Sequence, residues 1–147
     1  MPFVRITVFG PSLSPQQIAR LQQGATDLMT SIMRKPLEGT SILIERIEQG
    51  GWTIAGKPIE VAAHVDAVIG AGTNTSEEKS AFMEGMMELL RSALGPRLRE
   101  ETYVVVHELA HDSYGRGGLT RTARERQEVS RASSFSPRWQ PLAIREP

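Results

Sequence analysis

The chain has 147 residues, a formal charge of zero from 17 basic and 17 acidic side chains, and no cysteine. That length suits one ordinary domain with a real core, and the charge balance offers no global attraction for nucleic acid or an anionic membrane. Without thiols there are no disulfides, no thiolate catalysis and no cysteine-ligated zinc. No apolar run approaches the ~20 residues of a membrane span and no charged-then-apolar leader precedes the first strand, so a cytoplasmic protein is expected.

The chain opens Met1-Pro2-Phe3-Val4. Removal of Met1 would leave Pro2 as a free secondary amine, and an apolar pocket would lower its pKa enough for it to act as a base or nucleophile near pH 7. The structural alternative is that a proline merely starts an edge strand. Phe3 to Phe9 alternates as a strand and breaks at Gly10-Pro11. Ser14-Pro15-Gln16-Gln17 forms a capping box with proline at the first helical position. The helix is predicted to run to about Arg34, with Ile18, Leu21, Ala25, Leu28 and Ile32 on one stripe, before Lys35-Pro36 ends it. Thr40 to Glu48 reads as a second strand, and the stretch from Gly50 through Trp52 to Gly56 as a short glycine-rich hairpin.

This order recurs at an offset of 61 to 62 residues, and a repeat fixes architecture before local propensity does. Val61 to Ile69 is a strand and Thr75-Ser76-Glu77-Glu78 a second capping box. The helix after it carries Phe82, Met86, Leu89 and Ala93 inward to about Leu94, and Thr102 to Leu109 is the fourth strand. The mid-helix Gly24 recurs as Gly85, Trp52 as Tyr114 and Gly56 as Gly118. A mid-helix glycine costs about 1 kcal/mol against alanine, so its repetition points to close backbone packing. The expected domain spans 1–119 as two βαβ repeats, 1–58 and 59–119. Residues 120–147 are expected to form an arginine-, serine- and proline-rich tail, with Trp139 and Leu142 as apolar anchors, that wraps a neighbour or stays partly mobile. Right-handed crossovers place both helices on one face of a four-stranded sheet, so the fold class is α/β (α+β). The other face is left for self-association to cover.

An amino-terminal proline, βαβ units of about sixty residues and Gly-x-aromatic hairpins ending in glycine resemble the tautomerase superfamily, in particular 4-oxalocrotonate tautomerase in a fused form. The resemblance spans about Pro2 to Leu119. It implies a tautomerase/MIF-like homotrimer without cofactor or metal, in which Pro2 is the general base for keto–enol tautomerisation of a 2-hydroxydienoate or related α-keto acid. Related hydratases, dehalogenases and decarboxylases, or a catalytically silent small-molecule binder, are the alternatives. Trp52 falls at the aromatic position that shields the proline, and Tyr114 is its counterpart. The family's substrate-binding arginines fall on Ser12 or Asn74 and on Ser41 or Tyr103. Serine, asparagine or tyrosine cannot hold a carboxylate as a bidentate guanidinium does. The expected substrate-binding set for a small carboxylate is therefore Trp52, Asn74, Tyr103, Tyr114 and Arg116, the last carried by a glycine-rich turn. Arg5 and Arg46 are as well explained as rim salt-bridge residues. The second repeat offers no free amine, so one site per chain is expected.

Two other patterns compete. His107-Glu108-Leu109-Ala110-His111 has the His-Glu-x-x-His spacing of a helical zinc site, but it follows the β-branched run Tyr103 to Val106, and an extended strand separates the two imidazoles too far for one ion. The arginines of the tail are interrupted by Glu125, Glu128 and Glu146, so no nucleic-acid partner is expected.

Overall fold

A computed structural model describes residues 2–10, 12–48 and 50–134. They fall into two compact units, Met1–Ala110 and His111–Pro147. The first holds both βαβ crossovers: β1 Phe3–Phe9, α1 Pro15–Ser31, β2 Ser41–Ile47, a two-stranded hairpin β3 Thr53–Ile54 and β4 Lys57–Pro58, then β5 Ala62–Gly70, α2 Ser76–Leu94 and β6 Tyr103–Leu109.

Both helices begin where their sequences demand. Ser14 accepts a hydrogen bond from the Gln17 amide while the Gln17 side chain accepts from the Ser14 amide, and Thr75 and Glu78 make the same reciprocal pair. The four strands lie in the order β2-β1-β5-β6. β1 runs parallel to β2 and β5 parallel to β6, while β1 and β5 are antiparallel, with Phe3 opposite Val68 and Phe9 opposite Ala62. The two repeats thus point in opposite directions, and each end of the sheet receives the strand starts of one repeat and the strand ends of the other.

Alternation in the strands separates the faces. Val4, Ile6, Val8, Val65, Ala67 and Ile69 are buried with Leu21, Ala25 and Met29 of α1 and Phe82, Met86 and Leu90 of α2 in one core. The other face carries Arg5, Glu45, His64, Asp66 and His107 among apolar residues such as Leu43, which is 41% exposed. The repeated glycines mark the helix crossing. A Cβ on Gly24 would sit 2.6 Å from Leu89 Cδ1, and one on Gly85 would sit 2.6 Å from Leu28 Cδ2. Each helix therefore admits a leucine of the other at its glycine.

α1 stops at Ser31, three residues short of the predicted end, because Arg34 turns left-handed with φ 54. The second unit is a hairpin, β7 Gly115–Arg116 and β8 Leu119–Thr120, followed by a helix, α3 Arg121–Ser134. In place of an irregular arm, residues 121–134 are helical. The Thr120 hydroxyl accepts from the Ala123 amide, and Arg121 pairs with Glu125 one turn on. Trp139 and Leu142, expected as tail anchors, lie outside the described residues.

Candidate active site

Pro2 is buried where β1 begins, and its carbonyl accepts a 3.1 Å hydrogen bond from the Ser41 amide at the start of β2. In a βαβ unit the helix runs back along the strand, so the C-terminal end of α1 returns to the same end of the sheet. Because β5 is antiparallel to β1, the loop from Gly70 into α2 arrives there too. That end therefore collects Pro2, Ser41, Arg34, Lys35, Thr73 and Asn74.

Arg34, Lys35, Thr73 and Asn74 are joined by side-chain contacts with one another and with Glu78. The half-buried Lys35 donates through Nζ to Thr73 Oγ1 at 2.8 Å, and that hydroxyl donates to the Gly70 carbonyl at 2.7 Å. Arg34 donates through Nε to Glu78 Oε1 at 2.7 Å and through its terminal nitrogen to Glu78 Oε2 and to the Thr73 carbonyl. Asn74, expected at the substrate, instead donates to the Met33 carbonyl at 2.9 Å and to Glu78 Oε2 at 2.8 Å. Its amide ties the end of α1 to the start of α2. Hydrogen bonds from Arg34 first, then Asn74 and the Thr75 amide, bring the Glu78 carboxyl down to about 2. Arg34 holds the left-handed conformation at a cost of about 1 kcal/mol for a residue with a Cβ.

Trp52 and Tyr103 lie elsewhere along the sheet. Trp52 precedes β3, and its ring is 6.4 Å from that of Phe9 at the far end of β1. With seven residues in β1, Trp52 and Pro2 of one chain stand ~20 Å apart along the strand. Tyr103 starts β6 opposite His64, also toward that far end, and is 68% exposed. Tyr114 and Arg116 belong to the second unit. There Tyr114 packs edge-on against His111 at 6.3 Å and buries its hydroxyl beside Arg121, while Arg116 is exposed and its carbonyl accepts from Arg124. Of the six expected site residues, Pro2 and Asn74 share one end of the sheet, and Trp52 and Tyr103 lie toward the opposite one. Lys35 was read in the sequence only as part of a helix stop.

The His-Glu-x-x-His motif does not form a helix. His107 and Glu108 lie on β6, and His111 belongs to the second unit. His107 Nε2 is 2.6 Å from Asp66 Oδ1, which also meets His64 Nε2 at 3.2 Å. These contacts, His107 foremost, hold the Asp66 carboxyl below its usual range. Arg5 lies 3.9 Å from Glu45, a surface pair on the open face.

Residues 2–62 match the family of tautomerase enzymes, starting at the buried proline itself. Over 83% of its length the chain has the fold of fused 4-OT proteins. It is similar to a wild-type fused 4-OT solved as a symmetric trimer, with 19% identity over 83% of this chain and 98% of that one and a TM-score of 0.72. It is likewise similar to Pt0534 inactivated by 2-oxo-3-pentynoate, with 18% identity, the same coverage and a TM-score of 0.74. A macrophage migration inhibitory factor-like protein from Entamoeba histolytica shares 14% identity over 81% of this chain and 97% of its own, at a TM-score of 0.65. No curated protein matches the chain. The second βαβ repeat supplies Thr73, Asn74 and Glu78 to the end of the sheet where the first supplies Pro2.

Proposed function

We propose that the protein is a cofactor-independent tautomerase of small enol acids, with Pro2 as general base once Met1 has been removed. The observation that carries this reading is the buried Pro2 at the first position of the tautomerase match. Burial disfavours the charged pyrrolidinium and leaves a neutral amine able to take a proton near pH 7. The amine accepts the hydroxyl proton of a 2-hydroxydienoate or phenylenolpyruvate-like acid, and the same proton returns from the pyrrolidinium to carbon as the ketone forms. The intermediate dienolate gains by donors already in place, since none need reorganise as charge develops. Lys35 is the cation at this end of the sheet for the substrate carboxylate, filling the part left open by Ser12 and Ser41.

The open sheet face and the two edge strands β2 and β6 fit a homotrimer, the state of the fused 4-OT neighbours. Since Trp52 stands ~20 Å along the strand from its own Pro2, it serves the proline of another copy in such an assembly.

The test begins with intact mass, because a retained methionine acylates the proline nitrogen and removes its basicity. Protein lacking one methionine should ketonise phenylenolpyruvate or 2-hydroxymuconate, and Pro2→Ala should abolish this. Clean processing without turnover of either enol would turn the reading toward a silent binder.

A further inference from the structure

The first repeat places an arginine where the second places glycine. Sixty-one positions after Arg34 stands Gly95, the residue that ends α2, with φ 88 against 54 at Arg34. Both helix ends need positive φ, and glycine meets that need without strain. The first repeat accepts the strain and spends the side chain on Glu78 and on the Thr73 carbonyl. The result is a fixed relation between the end of α1 and the loop between β5 and α2. The next residue, Lys35, then reaches the Thr73 hydroxyl, which is itself anchored on the Gly70 carbonyl.

We infer that Arg34 and Thr73 are positioning residues that aim Lys35 at a substrate carboxylate beside Pro2, with the amine-free second repeat retained as the frame that holds this cation. Arg34 acts through Glu78 and the Thr73 backbone, and Thr73 acts through its hydroxyl. Neither touches the reacting atoms. The inference rests on the role given to Lys35 above, and its test separates the two.

Arg34→Gly suits the backbone of the helix end and removes only the latch. Thr73→Val removes the hydroxyl at nearly constant shape, and Thr73→Ser restores it. On the full chain with a verified Pro2 terminus, two quantities are measured: KM and kcat for phenylenolpyruvate, and calorimetric affinity for phenylpropanoate, a carboxylate that does not enolise. Arg34→Gly and Thr73→Val should each raise KM and weaken phenylpropanoate binding about fivefold, as expected for one lost or misaligned charge-assisted hydrogen bond, with kcat unchanged. Thr73→Ser should behave as the parent. If Arg34→Gly and Thr73→Val leave both KM and affinity unchanged while Lys35→Met raises KM and weakens binding, Lys35 keeps its role and the positioning inference falls. If the parent turns over no enol, the tautomerase reading fails, and the calorimetric series still decides the inference. Absence of any phenylpropanoate binding by the parent would overturn it as well.

Discussion

The helix crossing offers a prediction whose sign depends on context. Gly24→Ala adds helix propensity worth up to about 1 kcal/mol. The new Cβ, however, would lie 2.6 Å from Leu89 Cδ1 and 2.8 Å from Cδ2, well inside ordinary contact. Leu89 is partly buried against the core, so it can move only by giving up packing. Overpacking of this kind costs roughly 1–3 kcal/mol. The clash should therefore exceed the propensity gain, leaving Gly24→Ala destabilising by about 1 kcal/mol, within a range of roughly 0–2. In a Leu89→Ala background the clashing atoms are gone, and the same change should become stabilising by up to about 1 kcal/mol. Urea denaturation followed by circular dichroism at one fixed protein concentration measures the four members of this cycle, since association would otherwise shift the midpoints. Gly85→Ala with Leu28→Ala is the repeat-related control. If Gly24→Ala stabilises the parent as much as it stabilises the Leu89→Ala protein, the close approach of the helices is not what requires glycine.

Two further outcomes follow from the site. The folded Glu78 carboxyl sits near 2, below the ordinary glutamate value of about 4.3. Its contribution to stability is therefore complete above that ordinary value and fades as pH falls toward 2. Glu78→Gln keeps a residue able to complete the capping box and should flatten the fall in urea midpoint between pH 5 and 2.5; an unchanged slope would remove Glu78 from the latch. In the proposed trimer, Pro2→Ala and Trp52→Ala chains each lack one element of every site. Refolding the two together should restore sites that take Pro2 from one chain and Trp52 from the other, read as phenylenolpyruvate turnover above either parent; no recovery in verified mixed trimers would confine Trp52 to a packing role.

Local signals in this sequence were sufficient for most of the frame. Both capping boxes, at Ser14 and Thr75, form as written, because each satisfies helix-end amides with residues three apart and needs nothing distant. The strands and the paired glycines were legible for the same reason, since a period and a repeat are local facts. The end of α1 was not. Arg34 has no intrinsic preference for positive φ; the Lys35 amide bonded to the Met29 carbonyl closes the turn locally, and Glu78 and Thr73, about forty residues away in the chain, hold the side chain. Helix α3 was hidden by composition, its arginines and serines reading as a solvated tail until the Arg121–Glu125 pair and the Thr120 cap are seen together. Asn74 was legible for its place, but of the two partners of its amide the Met33 carbonyl lies on the other repeat and Glu78 one turn on in its own.

The direction of the strands decides what can belong to one site. A hairpin that follows β2 emerges at the carboxyl end of the parallel pair, whereas Pro2 opens the amino end, so no packing of a single sheet can bring Trp52 to its own proline. The α1 end and the β5–α2 loop have no such obstacle, because the antiparallel junction of β1 and β5 delivers both to Pro2. Within one chain the sheet therefore brings the end of α1 and the β5–α2 loop to Pro2, while Trp52 stands at the other end. A tandem chain with a single amine fits this division. The first loop of the second repeat carries Thr73, which meets Lys35, and Gly95 takes its positive φ without the strain that Arg34 bears.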